Sequence, residues 1–300
     1  MTRRGVRVLA GAIGLVLLLA AGLWIWQASS RPASVEGTAL AYLDALESGD
    51  TDALADVSAP VPETVLTAFA AADERISDVA LTSVDQSGDT ATAEVSFVLA
   101  GDQRLASLSL SQADGRWRVS ASALGAVRAE TSLGDLIAVG DATFANDEEI
   151  ALFPAVYSVA PAPRELLAGE AEAIVLPGDP VEVALEVTLL PAATEAAQTA
   201  LDDHLADCTA GGAAIPAGCG IRIPWGTEFQ SVSDIRYRIE TSPVLTLIPT
   251  GFDAVSGILV ATVTGTGQDG ESRTTTYLTE SWSLRGDVAF TEKGLELSVW

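Results

Sequence analysis

The sequence predicts an α+β fold: an N-terminal transmembrane helix followed by two domains, each with helices packed on a curved antiparallel sheet. Three observations lead there. An uncharged apolar run follows a cluster of arginines. Leucines at helical spacing then give way to alternating runs divided by Gly-Asp and Asp-Gly turns. Beyond residue 133 a helix and a series of strands recur.

The chain opens MTRRGVRVLAGAIGLVLLLAAGLWIWQASS, with Arg3, Arg4 and Arg7 ahead of an apolar run from Val8 to Trp26. As a helix this run reaches roughly 28 Å, close to the ~30 Å hydrocarbon core of a bilayer. The arginines favour a cytoplasmic N-terminus, which places everything after Trp26 outside. A cleaved signal peptide has a shorter apolar core and a small-x-small exit. This run is longer and ends in WIWQ, so residues 1–30 are expected to be an uncleaved signal anchor in the cell membrane. No cysteine adjoins its end, which excludes a lipid attached to cysteine.

Residues 31–36 read as a tether. Domain one, 37–125, begins GTALAYLDALESGDTDALADVSAP, with Leu40, Leu43 and Leu46 as a helical stripe and Tyr42 and Leu54 adding apolar area. Gly49-Asp50 separates two helices, and Pro60 and Pro62 break the chain again. Strand-like runs follow at Ile76 to Val84, Thr90 to Leu99, Gln103 to Leu110 and Arg116 to Ala121. Gly88-Asp89, Gly101-Asp102 and Asp114-Gly115 mark the hairpins between them.

Domain two, 133–300, is mostly β with one helix near 192–208. Short candidates broken by prolines precede Val181 to Leu190, whose apolar and acidic residues alternate as a half-buried strand does. Pro191 opens the helix, and Ala197, Leu201, Leu205 and Cys208 form its buried stripe. Ile235 to Leu247, Gly257 to Val263, Arg273 to Leu284 and Val288 to Trp300 read as strands.

The stretch AYLDALESGDTDALADVSAP, with Gly115, Trp117, Arg118 and Val119 as a closing G-x-W-R-V strand, resembles the nuclear-transport-factor-2-like superfamily over residues ~35–125. That resemblance implies a cone-shaped α+β domain and no particular activity, because the superfamily holds enzymes and binding modules alike. The second half, through LFPAVYSV at 152–159 and LDDHLADC before the cysteine loop, resembles uncharacterised membrane-anchored actinobacterial proteins. Arginine outnumbers lysine fifteen to one, with Lys293 the one lysine, which is in keeping with such a source.

With 16 basic against 41 acidic residues the net charge is −25. Nucleic acid needs a basic footprint, so it is excluded as a partner. Catalytic signatures are absent too: the sequence has one histidine, His204, and neither a G-x-S-x-G elbow nor an S-x-x-K motif. Asp203, His204, Asp207 and Cys208 lie within two turns, yet zinc wants more sulfur and nitrogen than they supply. Asp141, Asn146, Asp147 and Glu148 lack the spacing of a calcium loop. Gly265, Gly267 and Gly270 satisfy G-x-G-x-x-G, but β-branched residues follow where the dinucleotide fingerprint needs a helix, so a hairpin turn is expected.

Cys208 and Cys219 are the only cysteines. In an oxidising compartment they are expected to pair and pin the helix end to the next extended segment. Together these readings predict a membrane-anchored extracytoplasmic binding protein without cofactor, metal or catalytic residues. Its expected partner is an envelope protein, a cell-wall polymer or a small apolar ligand. The alternative is a pocket enzyme built on carboxylates, of the nuclear-transport-factor-2-like type.

Overall fold

The structure, a computed structural model, describes residues 34–223 and 225–300. The expected membrane anchor at 1–30 lies outside the described residues. No helix among those described is long and apolar enough to cross a membrane.

The chain begins with α1 (Val35–Ser48), α2 (Thr51–Val57) and α3 (Glu63–Ala70). Strands β1 (Glu74–Arg75), β2 (Ser77–Ser87), β3 (Thr90–Leu99), β4 (Asp102–Ala113) and β5 (Arg116–Val119) follow. Next come β6 (Gly125–Thr131), β7 (Leu136–Val139), β8 (Ala142–Ala145), β9 (Glu149–Leu152) and β10 (Ala155–Pro161). They continue as β11 (Leu167–Ala168), β12 (Ala171–Val175), β13 (Pro180–Leu185) and β14 (Thr188–Leu189). After α4 (Pro191–Cys208) the chain ends in β15 (Phe229–Thr241), β16 (Val244–Ile248), β17 (Gly251–Gly267), β18 (Ser272–Thr291) and β19 (Gly294–Val299).

This corrects the α+β expectation. The described chain is 54% strand and 20% helix, a mostly β protein. The excess comes from two sources. Strands β17 and β18 run for 17 and 20 residues, absorbing register shifts beside Gly257 that the alternation pattern reads as strand ends. The proline-broken stretch from 125 to 189 also forms nine strands.

Contacts divide the chain into two compact units. Among the described residues, one comprises 34–126, 151–156 and 174–180, and the other 127–150, 157–173, 181–223 and 225–300.

In the first unit, β2 to β5 form an antiparallel meander in chain order. Ser34 caps α1 by accepting from the Gly37 amide at 3.1 Å, and Asp50 caps α2 through the Ala53 amide at 3.0 Å. Gly49 ends α1 at φ 75°, a left-handed conformation that glycine adopts without a Cβ penalty. Helix α1 buries Val35, Ala39, Tyr42, Leu43 and Leu46. Leu40, read as part of the stripe, is 43% exposed instead. Steps of three drift backwards around a 3.6-residue helix, and residues 35, 39, 42, 43 and 46 stay on one face. From β3, Ala91, Ala93, Val95, Phe97 and Leu99 meet them. Phe153 joins this core, with its ring 6.4 Å from Tyr42 and 5.4 Å from Phe69.

In the second unit, the sheet order is β15-β17-β18-β19, with β16 also on β17. Helix α4 packs on it through the stripe read from sequence, Ala197, Leu201, Leu205 and Cys208, with Ala193 added. Leu245, Phe252, Leu259, Trp282 and Leu284 pack in the same cluster. Gln198 ties helix to sheet, donating to the Pro243 carbonyl at 3.1 Å and accepting from the Leu245 amide at 2.9 Å.

Candidate functional site

A cone-shaped domain would offer its cavity between the helices and the meander. Here that space is filled. Tyr42, Leu43, Leu46, Leu54, Phe69 and Phe97 are each 2% exposed or less. Tyrosine hydroxyls apart, the buried polar or charged residues among those described are Thr38 and Ser58. Their hydroxyls are spent on carbonyls of their own chain, Thr38 on Ser34 at 3.0 Å and Ser58 on Leu54 at 2.6 Å. No described Asp or Glu is buried; Glu228 and Asp234 are half-buried and the others exposed. Asp44 and Glu47, on α1, are among the exposed ones.

The opposite face of the meander is different. Strand β3 alternates strictly over its first six residues, so Thr90, Thr92 and Glu94 point away from the helices. Pairing then builds three cross-strand rows: Ser87, Thr90 and Ser111; Asp85, Thr92 and Ser109; Ser83, Glu94 and Ser107. An open groove runs over these rows, lined by all of their residues except Ser107, Asp85 and Glu94 among them, and by Ala91, Leu110 and Ser120. At strand spacings of ~4.8 Å and two-residue steps of ~7 Å, the rows form a flat polar lattice. No element covers it among the described residues.

A second, smaller hollow lies beside Thr131, Asn146 and Phe290. Two of its polar side chains are engaged locally. The Thr131 hydroxyl lies 3.0 Å from the Leu133 carbonyl and 2.9 Å from that of Gly134, and Asn146 Oδ1 accepts from the Thr131 amide at 3.0 Å. Asp147, on the same turn, pairs with Arg128 at 3.0 Å. Of the residues weighed for calcium, Asn146 and Asp147 therefore serve the loop, while Asp141 and Glu148 are exposed and join no ligand cluster.

The bond between Cys208 and Cys219 is present, with Cα atoms 5.7 Å apart. Both residues are buried, and Trp282 Nε1 donates to the Cys219 carbonyl at 3.2 Å. The loop they close lies along the edge of β15, where Gly212 and Ile235 exchange both backbone hydrogen bonds. His204 is half-buried, its Nε2 3.4 Å from Cys208 Sγ and 3.2 Å from the Gly218 carbonyl. Asp203 and Asp207, grouped with His204 and Cys208 by sequence spacing, are exposed. The structure brings Cys219 to His204 and Cys208 instead, eleven residues beyond Cys208.

Gly265, Gly267 and Gly270 belong to a β17–β18 hairpin, with Gly270 in the turn at φ 82°. Phosphate would need a following helix, and β18 stands there.

The chain matches no family model, no curated protein and no solved structure. Nothing beyond the quoted motifs ties residues 35–125 to the nuclear-transport-factor-2-like superfamily.

Proposed function

We propose that this chain is a non-enzymatic binding protein, held on the outer side of a membrane by its N-terminal segment, that docks an uncharged hydroxyl-bearing envelope polymer. The observation behind this reading is the groove over β2, β3 and β4. Its rows of Ser and Thr hydroxyls both donate and accept, as a polyol ligand does, and Asp85 and Glu94 add charge-assisted acceptors. The net charge of −25 and these two carboxylates repel a phosphate-rich or uronate-rich polymer, which leaves neutral glycans as the favoured class. The carboxylate-enzyme alternative asks for two acids converging in a desolvated pocket. The filled interior of the first unit and the surface placement of its acids weigh against it.

Co-sedimentation of the full chain with insoluble envelope glycan provides the test. Wild type is expected to sediment, and an Asp85→Asn, Glu94→Gln double variant to bind roughly tenfold more weakly, the loss of one or two charge-assisted bonds. Failure of wild type to sediment with any neutral envelope glycan overturns the reading, as does a double variant that binds equally well.

A further inference from the structure

Beside the end of α4, one histidine nitrogen and two sulfurs lie within 4.8 Å of one another. We infer that reduction of the Cys208–Cys219 bond turns this corner into a binding site for a thiophilic divalent cation, with zinc the best fit. His204 Nε2, Cys208 Sγ and Cys219 Sγ would be its ligands.

Geometry carries the inference. Zinc binds sulfur at about 2.3 Å and nitrogen at about 2.0–2.1 Å, so a tetrahedral ion holds an S and an N ligand about 3.5 Å apart. His204 Nε2 and Cys208 Sγ already stand 3.4 Å apart. Their spacing of four residues on α4 fixes this pair on one helical face. The second sulfur needs to retreat to about 3.8 Å from the first, the separation two thiolates keep on one tetrahedral ion. Cys219 can make that move by rotation about its own Cα–Cβ bond, because it lies outside every helix and strand, whose backbone would otherwise fix its direction. The Cys208 end stays with the helix.

The setting favours a cation as well. Two thiolates neutralise a divalent ion, so the filled site carries no net charge into a corner where both cysteines are buried. His204 is the half-buried member and opens the route from solvent. Asp203 and Asp207 lie exposed on the neighbouring positions of α4 and raise the local cation concentration. A fourth coordination position remains for water, as in catalytic rather than structural zinc centres.

The chemistry balances with a dithiol reductant. It gives two electrons and two protons to the protein and closes its own disulfide, while the Cys208–Cys219 bond breaks into two thiols. Metal binding then releases both thiol protons as two metal–sulfur bonds and one metal–nitrogen bond form. His204 must enter neutral and surrenders its contact with the Gly218 carbonyl. The oxidised chain, whose sulfurs hold each other, binds no metal here, so occupancy reports the redox state.

Cobalt(II) serves as the spectroscopic probe. The full chain in detergent, reduced with a phosphine and freed of excess reductant, is expected to take up one equivalent. Thiolate-to-cobalt charge transfer and intense tetrahedral d–d bands should appear, and zinc should displace them. The oxidised chain and the Cys208→Ser and Cys219→Ser variants should show neither. His204→Ala should keep charge transfer but bind more than roughly tenfold more weakly, exceeding the loss of even an outer-sphere partner. Zinc should also raise the unfolding midpoint of the reduced chain and leave that of the oxidised chain in place. Absence of cobalt bands in the reduced wild type overturns the inference. So does a His204→Ala affinity equal to wild type, or a reduced chain whose unfolding zinc does not shift.

Discussion

Tyr42 sits at the centre of the first core with its hydroxyl buried and without a hydrogen-bond partner. Burial pushes its pKa far above the usual tyrosine value, because the phenolate would lose its hydration. In the unfolded chain the phenol ionises near about 10. As pH rises, the unfolded state therefore sheds its proton first. The stability held by this group is complete below that pH and falls above it, by ~1.4 kcal/mol per pH unit. Tyr42→Phe is expected to raise stability at neutral pH on the order of 1 kcal/mol, since an unsatisfied buried hydroxyl is removed. It should also shrink the alkaline fall. Urea unfolding at neutral pH and above pH ~10 measures both, and identical alkaline falls in the two proteins would exonerate Tyr42. The cysteines act at the same scale with the opposite sign. Their bond removes about 3 kcal/mol of unfolded-chain freedom for a loop of this length.

Among elements, the β17–β18 hairpin shows best what a sequence pattern hides. Gly265 looks like part of a phosphate loop, yet its backbone is not left-handed. A Cβ there would collide with the Ser231 carbonyl and press on Val232, where β15 shifts register against β17. Glycine is present because another backbone comes close. Gly265→Ala should destabilise the second unit by about 1–3 kcal/mol through overpacking. Gly270→Asn should cost much less, since nothing lies near its Cβ and Asn tolerates a positive φ. Thermal unfolding of the two variants separates these roles, and equal losses would argue that turn geometry, not backbone approach, dictates both glycines. Helix α1 carries a related lesson. Its buried face was legible from Tyr42, Leu43 and Leu46, but Leu40 belongs to solvent, because helical phase over four turns outweighs the local i, i+3 step.

At the level of the whole molecule, the proposed topology makes its own prediction. A reporter active only after export, fused behind Trp300, should be active in cells when the intact chain carries it. Replacing Arg3, Arg4 and Arg7 with glutamate should reduce that activity, because the basic flank sets the orientation. Activity from a cytoplasm-specific reporter at the same position would overturn both the topology and the oxidising surroundings assumed for the cysteines. The acidic surface has a plain physical role as well. A net charge of −25 makes copies of the chain repel one another and disfavours contact with a polyanion.

The sequence by itself determined the local features: the hairpin turns at Gly88-Asp89 and Gly101-Asp102, the stripe of α4, and a pair of cysteines able to bond. Each depends on neighbours a few residues apart, so propensity and periodicity carry it. Tertiary structure decided how far the strands extend, which segments join which unit, and which side chains meet. Residues 151–156 and 174–180 pack with the first unit although second-unit chain separates them. Phe153 reaches Tyr42 and Phe69 across about a hundred residues. His204 and Cys208 were visible as neighbours on one helix, but the approach of Cys219 depends on how the closed loop lies. Such pairings are chosen by burial and backbone hydrogen bonding over the whole chain, and a local pattern holds no record of them.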